Sequence, residues 1–354
     1  MSAPPIAPEP FRIEPAFVPR IWGARSLAAL YPEKSDLPEP IGEVWLTGID
    51  CKVATGPFAG KTLGEAWREM PPEWRGTRFT EPGDFPILVK FIFPKDKLSI
   101  QVHPDDAYAA AHEQAAGGRG KTEMWYAVSA EPHAQVLVGL KPGVDKQKFL
   151  GSLAAHTLES LFEAHEVQAG DTFFLPAGMP HTIGPGMVLC EVQEYSDLTY
   201  RVYDYGRVDT KGRPRELHIE KALEVIKFGA AAFSKVTPLS VQTRGARHFL
   251  LSACRYFATE REEFLVTVQA DSCLERFELL VVLAGAGYIH WRGSPLVYER
   301  GQCWLIPASL GHFSLQPEQR SSVIRTYVPD LESLRADLLK SGNSEQEIGR
   351  TVFA

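Results

Sequence analysis

The sequence predicts a mainly β protein built as two β-barrels with a few peripheral helices. Three observations lead there. Most of the chain reads as short runs rich in Val, Ile, Phe and Tyr, cut apart by Gly, Pro and Asp, the punctuation of a sandwich or barrel. Few stretches carry helical periodicity. One phrase also occurs twice: GDTFFLPAGMPH at 170–181 and GQCWLIPASLGH at 301–312 share a Gly, a Pro beyond five intervening residues, and a His soon after. This is read as the duplication of one barrel unit, the first copy keeping metal-type residues and the second not.

Taken in order, strands are expected at 87–93, 98–103, 124–128, 135–140, 172–175 and 187–194, each bounded by turn residues. A helix is expected at 144–163, where Phe149, Leu153, Leu161 and Phe162 fall near helical spacing and Asp145 sits in the first turn. Further helices are expected at 216–228 and 331–339. A short helix and a glycine-rich loop should fill 105–120. After Phe228 the segment GAAAFSKVTP is small and polar, and an all-strand block starts near Val241. The expected division is therefore a metal-carrying barrel over 1–230 and a metal-free barrel over 231–354.

The chain has 354 residues, 44% hydrophobic and 23% charged, enough to bury a core without disulfide or metal staples. Any metal should thus serve chemistry. The net charge of −7 argues against nucleic acid as a partner, since phosphate backbones demand clustered Lys and Arg, but leaves room for a small anion. Five cysteines without a CxxC pair point to a reducing cytoplasm. The N-terminus lacks the pattern of a signal peptide. The longest apolar run, near 279–289, is too short for a membrane span.

The chemistry-bearing residues lie in three phrases. In LSIQVHPDD, Gln101 and His103 are two apart on a strand and project together. In GKTEMWYAV, Glu123 opens an apolar strand with Trp125 on its face. In GDTFFLPAGMPH, Pro176 and Gly178 reverse the chain and His181 begins the return strand. Imidazole and carboxylate suit Zn²⁺ with one position left for water or substrate. Ligand type alone also admits Fe(II), Mn(II) or Ni(II). An isolated strand His is more often a core or surface residue, and His112, His133, His156, His165, His218, His248 and His290 are read that way.

The joint pattern is more specific. Gly170, Pro176, Gly178 and His181 follow G-x5-P-x-G-x2-H, which resembles the second motif of cupins, with Pro185 where those usually carry Asn. The phrases LVKFIFPKDKLSIQVHPDD, GKTEMWYAV, VQAGDTFFLPAGMPHTIG and EVQEYSDLTYRVYDYGR, with RIWGARSL and IGEVWLTG near the N-terminus, resemble type I mannose-6-phosphate isomerases in their short bacterial form. The resemblance runs from about residue 21 to about residue 226. It implies two cupin-type jelly-roll barrels and interconversion of mannose 6-phosphate and fructose 6-phosphate. It implies one zinc ion on Gln101, His103, Glu123 and His181, and Arg201 as the matching catalytic arginine. Lys90 and Lys121 match basic pocket residues, and Asp197 an acidic neighbour. Arg201, Lys121 and Asp197 are thus the catalytic candidates, and Lys90, Lys121, Arg201 and Glu194 the substrate-binding ones.

An isomerase of this kind moves a proton between C2 and C1 through an enediol. Arg201 can stabilise the enediolate or grip the phosphate, but it cannot usefully release a proton. Glu194, Asp197 or a metal-bound hydroxide are the options for the base, and Glu43 is read as a possible anchor. A different metal-dependent cupin reaction, such as a dioxygenase, and a non-catalytic sugar-phosphate binder are the alternatives. The expected partner is a small sugar phosphate, with no membrane, and the chain is expected to be a monomer or homodimer.

Overall fold

The computed structural model describes residues 7–79, 83–208, 211–229, 235–241 and 245–353. Strand alternation decides its layering. In EMWYAV, Glu123, Trp125 and Ala127 face one way, and Met124 and Tyr126 the other. Trp125 and Ala127 enter one core, Met124 and Tyr126 a second. Both faces are therefore covered, and the strand can be apolar throughout.

The strand belongs to a seven-stranded sheet. Its order is Lys235–Val236, Thr172–Leu175, Glu123–Ala130, Met187–Glu194, Ile87–Ile92, Ile41–Trp45 and Ala16–Ala24, paired antiparallel. Against its inner face lies a five-stranded sheet ordered Tyr200–Tyr203, Ile100–Val102, His181–Ile183, Gln135–Leu140 and Phe162–Glu166. Trp125, Ile92 and Leu189 of the large sheet meet Val136, Val138 and Ile183 of the small one.

The second unit repeats this plan. Its seven-stranded sheet runs Phe11–Ile13, Cys303–Ile306, Glu278–Ala284, Ser321–Tyr327, Ala258–Phe264, Ala246–Ala253 and Leu239–Val241. A four-stranded sheet of Val268–Asp271, His312–Pro317, Ala286–His290 and Leu296–Glu299 covers it. Leu280, Val282 and Trp304 pack there on Ile289, Phe313 and Leu315. The outer faces of the two large sheets share the largest core, in which Val89, Phe91 and Cys190 join Leu279, Val281 and Ile324. The layers thus run small, large, large, small.

Two edge strands cross between the units. Phe11–Ile13 pairs with Cys303–Ile306, and Lys235–Val236 pairs with Thr172–Leu175. The expected division at 230/231 falls in residues 230–234, outside those described.

The helix expected at 144–163 is shorter. Asp145 caps Lys146–Ala154 by accepting the Lys148 N–H at 2.8 Å. The chain then turns through His156 at φ 57°, makes a 3-10 turn at Leu158–Leu161 and enters the strand Phe162–Glu166. Phe162 and its neighbours complete a sheet edge against Gln135–Leu140, and tertiary pairing overrides local periodicity there. The helix expected at 216–228 contracts to Ile219–Val225, and that at 331–339 is Leu331–Lys340. No helix of the described residues is long and apolar enough to cross a membrane.

Candidate metal centre

Strand register builds the site. Gln101 pairs across the small sheet with His181 on one side and with Arg201 on the other. Directly opposed residues place their Cβ atoms roughly 5 Å apart, so three distant stretches of chain contribute adjacent side chains. His103 follows two residues after Gln101 on the same face. The turn after Pro176 reinforces this. Gly178 takes φ 86°, its N–H donates to the His103 carbonyl at 2.8 Å, and its own carbonyl accepts from the Lys227 N–H at 3.0 Å. Glu123 enters from the large sheet, fully buried.

His103 Nε2 lies 3.7 Å and His181 Nε2 3.3 Å from Glu123 Oε1. The Gln101 amide nitrogen is 3.3 Å from His181 Nε2, and turning the amide over would present its oxygen in the same place. Both imidazoles have their other nitrogen tied down. His103 Nδ1 meets the Leu198 carbonyl at 2.8 Å and His181 Nδ1 the Met179 carbonyl at 2.9 Å. Each Nδ1–H donates there, which turns the Nε2 lone pairs inward. Burial, with the charge of Lys121, holds His103 well below the ordinary imidazole range. Burial also takes His181 down to about 4. Both rings are therefore neutral at pH 7, as metal ligation requires. His103 Nε2 and Glu123 Oε1 are buried without hydrogen-bond partners. Orphaned acceptors converging on one point are costly unless a cation sits between them, so the donor set fits a divalent metal ion.

Above the cluster is a cavity of about 370 Å³, lined by Lys90, Gln101, Lys121, Asp197 and Arg201. Lys121 Nζ is 2.8 Å from Glu123 and 3.5 Å from Glu191. Lys90 Nζ is 2.7 Å from Asp197, with Glu43 and Glu191 near 4 Å, and stands over the Trp45 ring. Burial alone would neutralise both lysines, but these carboxylates override it and keep them charged. Burial raises Asp197, yet Lys90 and Lys121 bring it below the ordinary range. Arg201 differs. Its Nη1 donates to the Glu216 carbonyl at 3.0 Å, its Nε has no partner, and among the described residues no carboxylate lies within ion-pair distance. Burial and the neighbouring Arg215 make its charge uncomfortable, a condition that an incoming anion would relieve.

The structure thus brings together Gln101, His103, Glu123, His181, Lys90, Lys121, Asp197 and Arg201. It does not bring Glu194 to the cavity wall, because that carboxyl turns toward Asp106. Several wall residues escaped the sequence reading. Glu191 bridges toward both lysines and accepts the Trp125 indole N–H at 3.0 Å. Its signal, a strand residue two before Gln193, is indistinguishable from core alternation. Arg20 forks onto Glu43 at 2.9 and 3.1 Å. Arg215 and His218 complete the rim, His218 accepting the Arg201 backbone N–H at 3.2 Å where a core or surface role was expected.

A cationic pocket over a His/Glu/Gln cluster, inside paired antiparallel sheets, defines a cupin-type enzyme for a small anionic substrate. Comparison with known proteins narrows the class. Residues 11–133 match the family model described as phosphomannose isomerase type I, catalytic domain. The chain is 32% identical over 308 residues to the mannose-6-phosphate isomerase of Streptococcus mutans, covering 85% of this chain and 93% of that one. The crystal structure of the Bacillus subtilis mannose 6-phosphate isomerase superposes with a TM-score of 0.81 at 28% identity, over 90% of this chain and 99% of that one. A zinc-bound mannose 6-phosphate isomerase structure shares the fold at a TM-score of 0.67 and 17% identity, over 90% and 99% of the respective chains. The chain belongs to the type I mannose-6-phosphate isomerase family, and its chemistry is that of an aldose–ketose isomerase.

Proposed function

We propose that the chain interconverts mannose 6-phosphate and fructose 6-phosphate at this site, with one zinc ion held by Gln101, His103, Glu123 and His181. The observation that carries the reading is Arg201: a half-buried guanidinium without a carboxylate partner among the described residues, set by strand register beside Gln101. A zinc ion there would supply Lewis acidity toward the sugar's O1 or O2; the relative described with zinc bound makes zinc the first choice among the metals this donor set admits.

The chain's own residues do the rest. Arg201 meets negative charge on the substrate, either the phosphate or the enediolate oxygens, as a fixed two-pronged donor. Lys121, held charged by Glu123 and Glu191, presents an N–H donor at the cavity floor beside the His/Glu cluster. Lys90, which approaches the same Glu191 carboxylate oxygen as Lys121, binds sugar oxygens beside it, and Asp197 keeps it charged. All these side chains come from one chain, so a monomer or a homodimer serves equally. Five free cysteines, four of them buried, suit a cytoplasmic setting.

One ion per chain is supported by what stands at the matching positions of the second unit. The repeated phrase aligns Leu175 with Ile306, and these pair with Glu123 and Glu278. On the small sheets, Gln101 faces His181 and Asp271 faces His312, so Cys273 corresponds to His103. Between Cys273 and Glu278 lies the Arg276 guanidinium, 3.4 Å from the thiol and 3.8 Å from the carboxylate. A cation is thus already in place. The buried group of His248, Glu260 and Glu262 is neutralised similarly. Arg325 lies 3.5 Å from Glu262, and Glu260 with its neighbours raises His248 against the pull of burial.

The test is a coupled isomerase assay with metal analysis. The parental enzyme should hold about one zinc per chain and lose activity to a chelator, and His181→Ala should lose the metal. Arg201→Ala should keep the metal and lower kcat/KM by about 10²–10³-fold. Oxygen consumption with bound iron, or sugar-phosphate binding without turnover, would overturn the reading in favour of another cupin.

A further inference from the structure

Lys121 ends a long excursion of chain that begins just after His103, and something must hold its return. Its backbone N–H donates to the Pro104 carbonyl at 3.0 Å. The preceding Gly120 packs so closely that an added Cβ would stand 2.6 Å from the backbone of Asp105 and Asp106. The Gly120 N–H donates to Asp106 Oδ1 at 3.0 Å. Asp106 Oδ2 is held from the other unit, where it accepts the Tyr256 hydroxyl at 2.5 Å and Arg255 Nη2 at 2.7 Å. Glu194, buried beneath, turns its carboxyl toward the same carboxylate, and its own backbone N–H donates to the Thr122 carbonyl at 3.0 Å. One side chain therefore ties together the loop's beginning, its end and the second unit. The far part of the loop is anchored independently within the first unit, where Glu113 accepts the Tyr200 hydroxyl at 2.7 Å.

We infer that the second unit has a part in catalysis: Tyr256 and Arg255 clamp Asp106, and Asp106 sets the position of the Lys121 backbone, hence of the Lys121 ammonium on the cavity floor. Tyr256, Arg255 and Asp106 are positioning residues. None of them lines the cavity, and they act only through Lys121. The inference rests on Lys121's place in the proposed site. Arg255 is largely exposed, and exposed ion pairs contribute little, so the half-buried Tyr256 hydroxyl carries most of the clamp. A lysine displaced by a fraction of an ångström still binds substrate but meets the transition state poorly, so the effect falls on kcat.

The test compares Tyr256→Phe, Asp106→Asn, Arg255→Ala and Arg255→Lys with the parental enzyme, each alone and Tyr256→Phe also in a Lys121→Met background. Tyr256→Phe and Asp106→Asn should each lower kcat about tenfold with KM within about twofold, at parental zinc content. Arg255→Lys should recover what Arg255→Ala loses. In the Lys121→Met background, Tyr256→Phe should cost nothing further, since both lie on one line of action. Parental kcat in Tyr256→Phe, or the same tenfold loss with Lys121 already gone, would overturn the clamp. An inactive parental enzyme would instead overturn the isomerase reading itself.

Discussion

At the scale of single residues, the site works by pairing every charge but one. Lys90 and Lys121 are buried among carboxylates that keep them protonated, while Arg201 has no carboxylate within ion-pair distance among the described residues. Glu194 shows the opposite use of burial. Desolvation first, and then Asp106, push its carboxyl up to about 9 from an ordinary 4.5. Its folded-state value lies above its unfolded one, so the stability it contributes is fully present below about pH 4.5. It is lost progressively as pH rises through about 9. Glu194→Gln keeps a hydrogen-bond donor without the titration. Its melting temperature should match the parent's near pH 5 and exceed it increasingly toward pH 9, as read by thermal denaturation. A difference that stays constant with pH would mean that Glu194 is ionised in the fold.

At the scale of elements, turns aim what strands merely carry. The turn between Thr172–Leu175 and His181–Ile183 must bring His181 level with Gln101 and also bond the His103 carbonyl, which it does through Gly178. With φ at 86° and an added Cβ 2.8 Å from the Val225 carbonyl oxygen, Gly178→Ala is strained twice over. We expect a loss of about 1–3 kcal/mol in stability and a weakened grip on zinc, measured by denaturation and by competition with a chelator. The helix expected over 144–163 teaches the same lesson in reverse. Phe149 and Leu153 have helical spacing and are helical, whereas Leu161 and Phe162 continue the spacing but close a 3-10 turn and open a sheet edge.

At the scale of the whole molecule, two copies of one plan lie back to back, and at the matching positions one presents a buried His/Glu cluster and the other an arginine. The loop between the strands differs most. From His103 to Glu123 it is long and delivers Lys121, whereas from Cys273 to Glu278 it is short and delivers Arg276 over the Tyr327 ring at 3.7 Å. Arg276→Ala should therefore destabilise the fold by about 1–3 kcal/mol, less than a fully buried partner would cost because the guanidinium is partly exposed. Activity per bound zinc should stay parental, as checked by denaturation and by assay normalised to metal. The mainly β class, the strands around the site and the meeting of His103, Glu123 and His181 were legible in the sequence, because strand alternation and Gly–Pro punctuation are local and the phrase GDTFFLPAGMPH names its own turn. Glu191, Arg20, Arg215 and His218 were not, because each sits on the cavity through a pairing with another stretch of chain that local spacing does not show, and Glu194 was read toward a cavity it turns from. By itself the sequence determined which side chains could hold a metal and which class of fold would carry them, since those depend on residue type and spacing. Only the tertiary structure decided which charges stay unpaired, since that depends on which strands become neighbours.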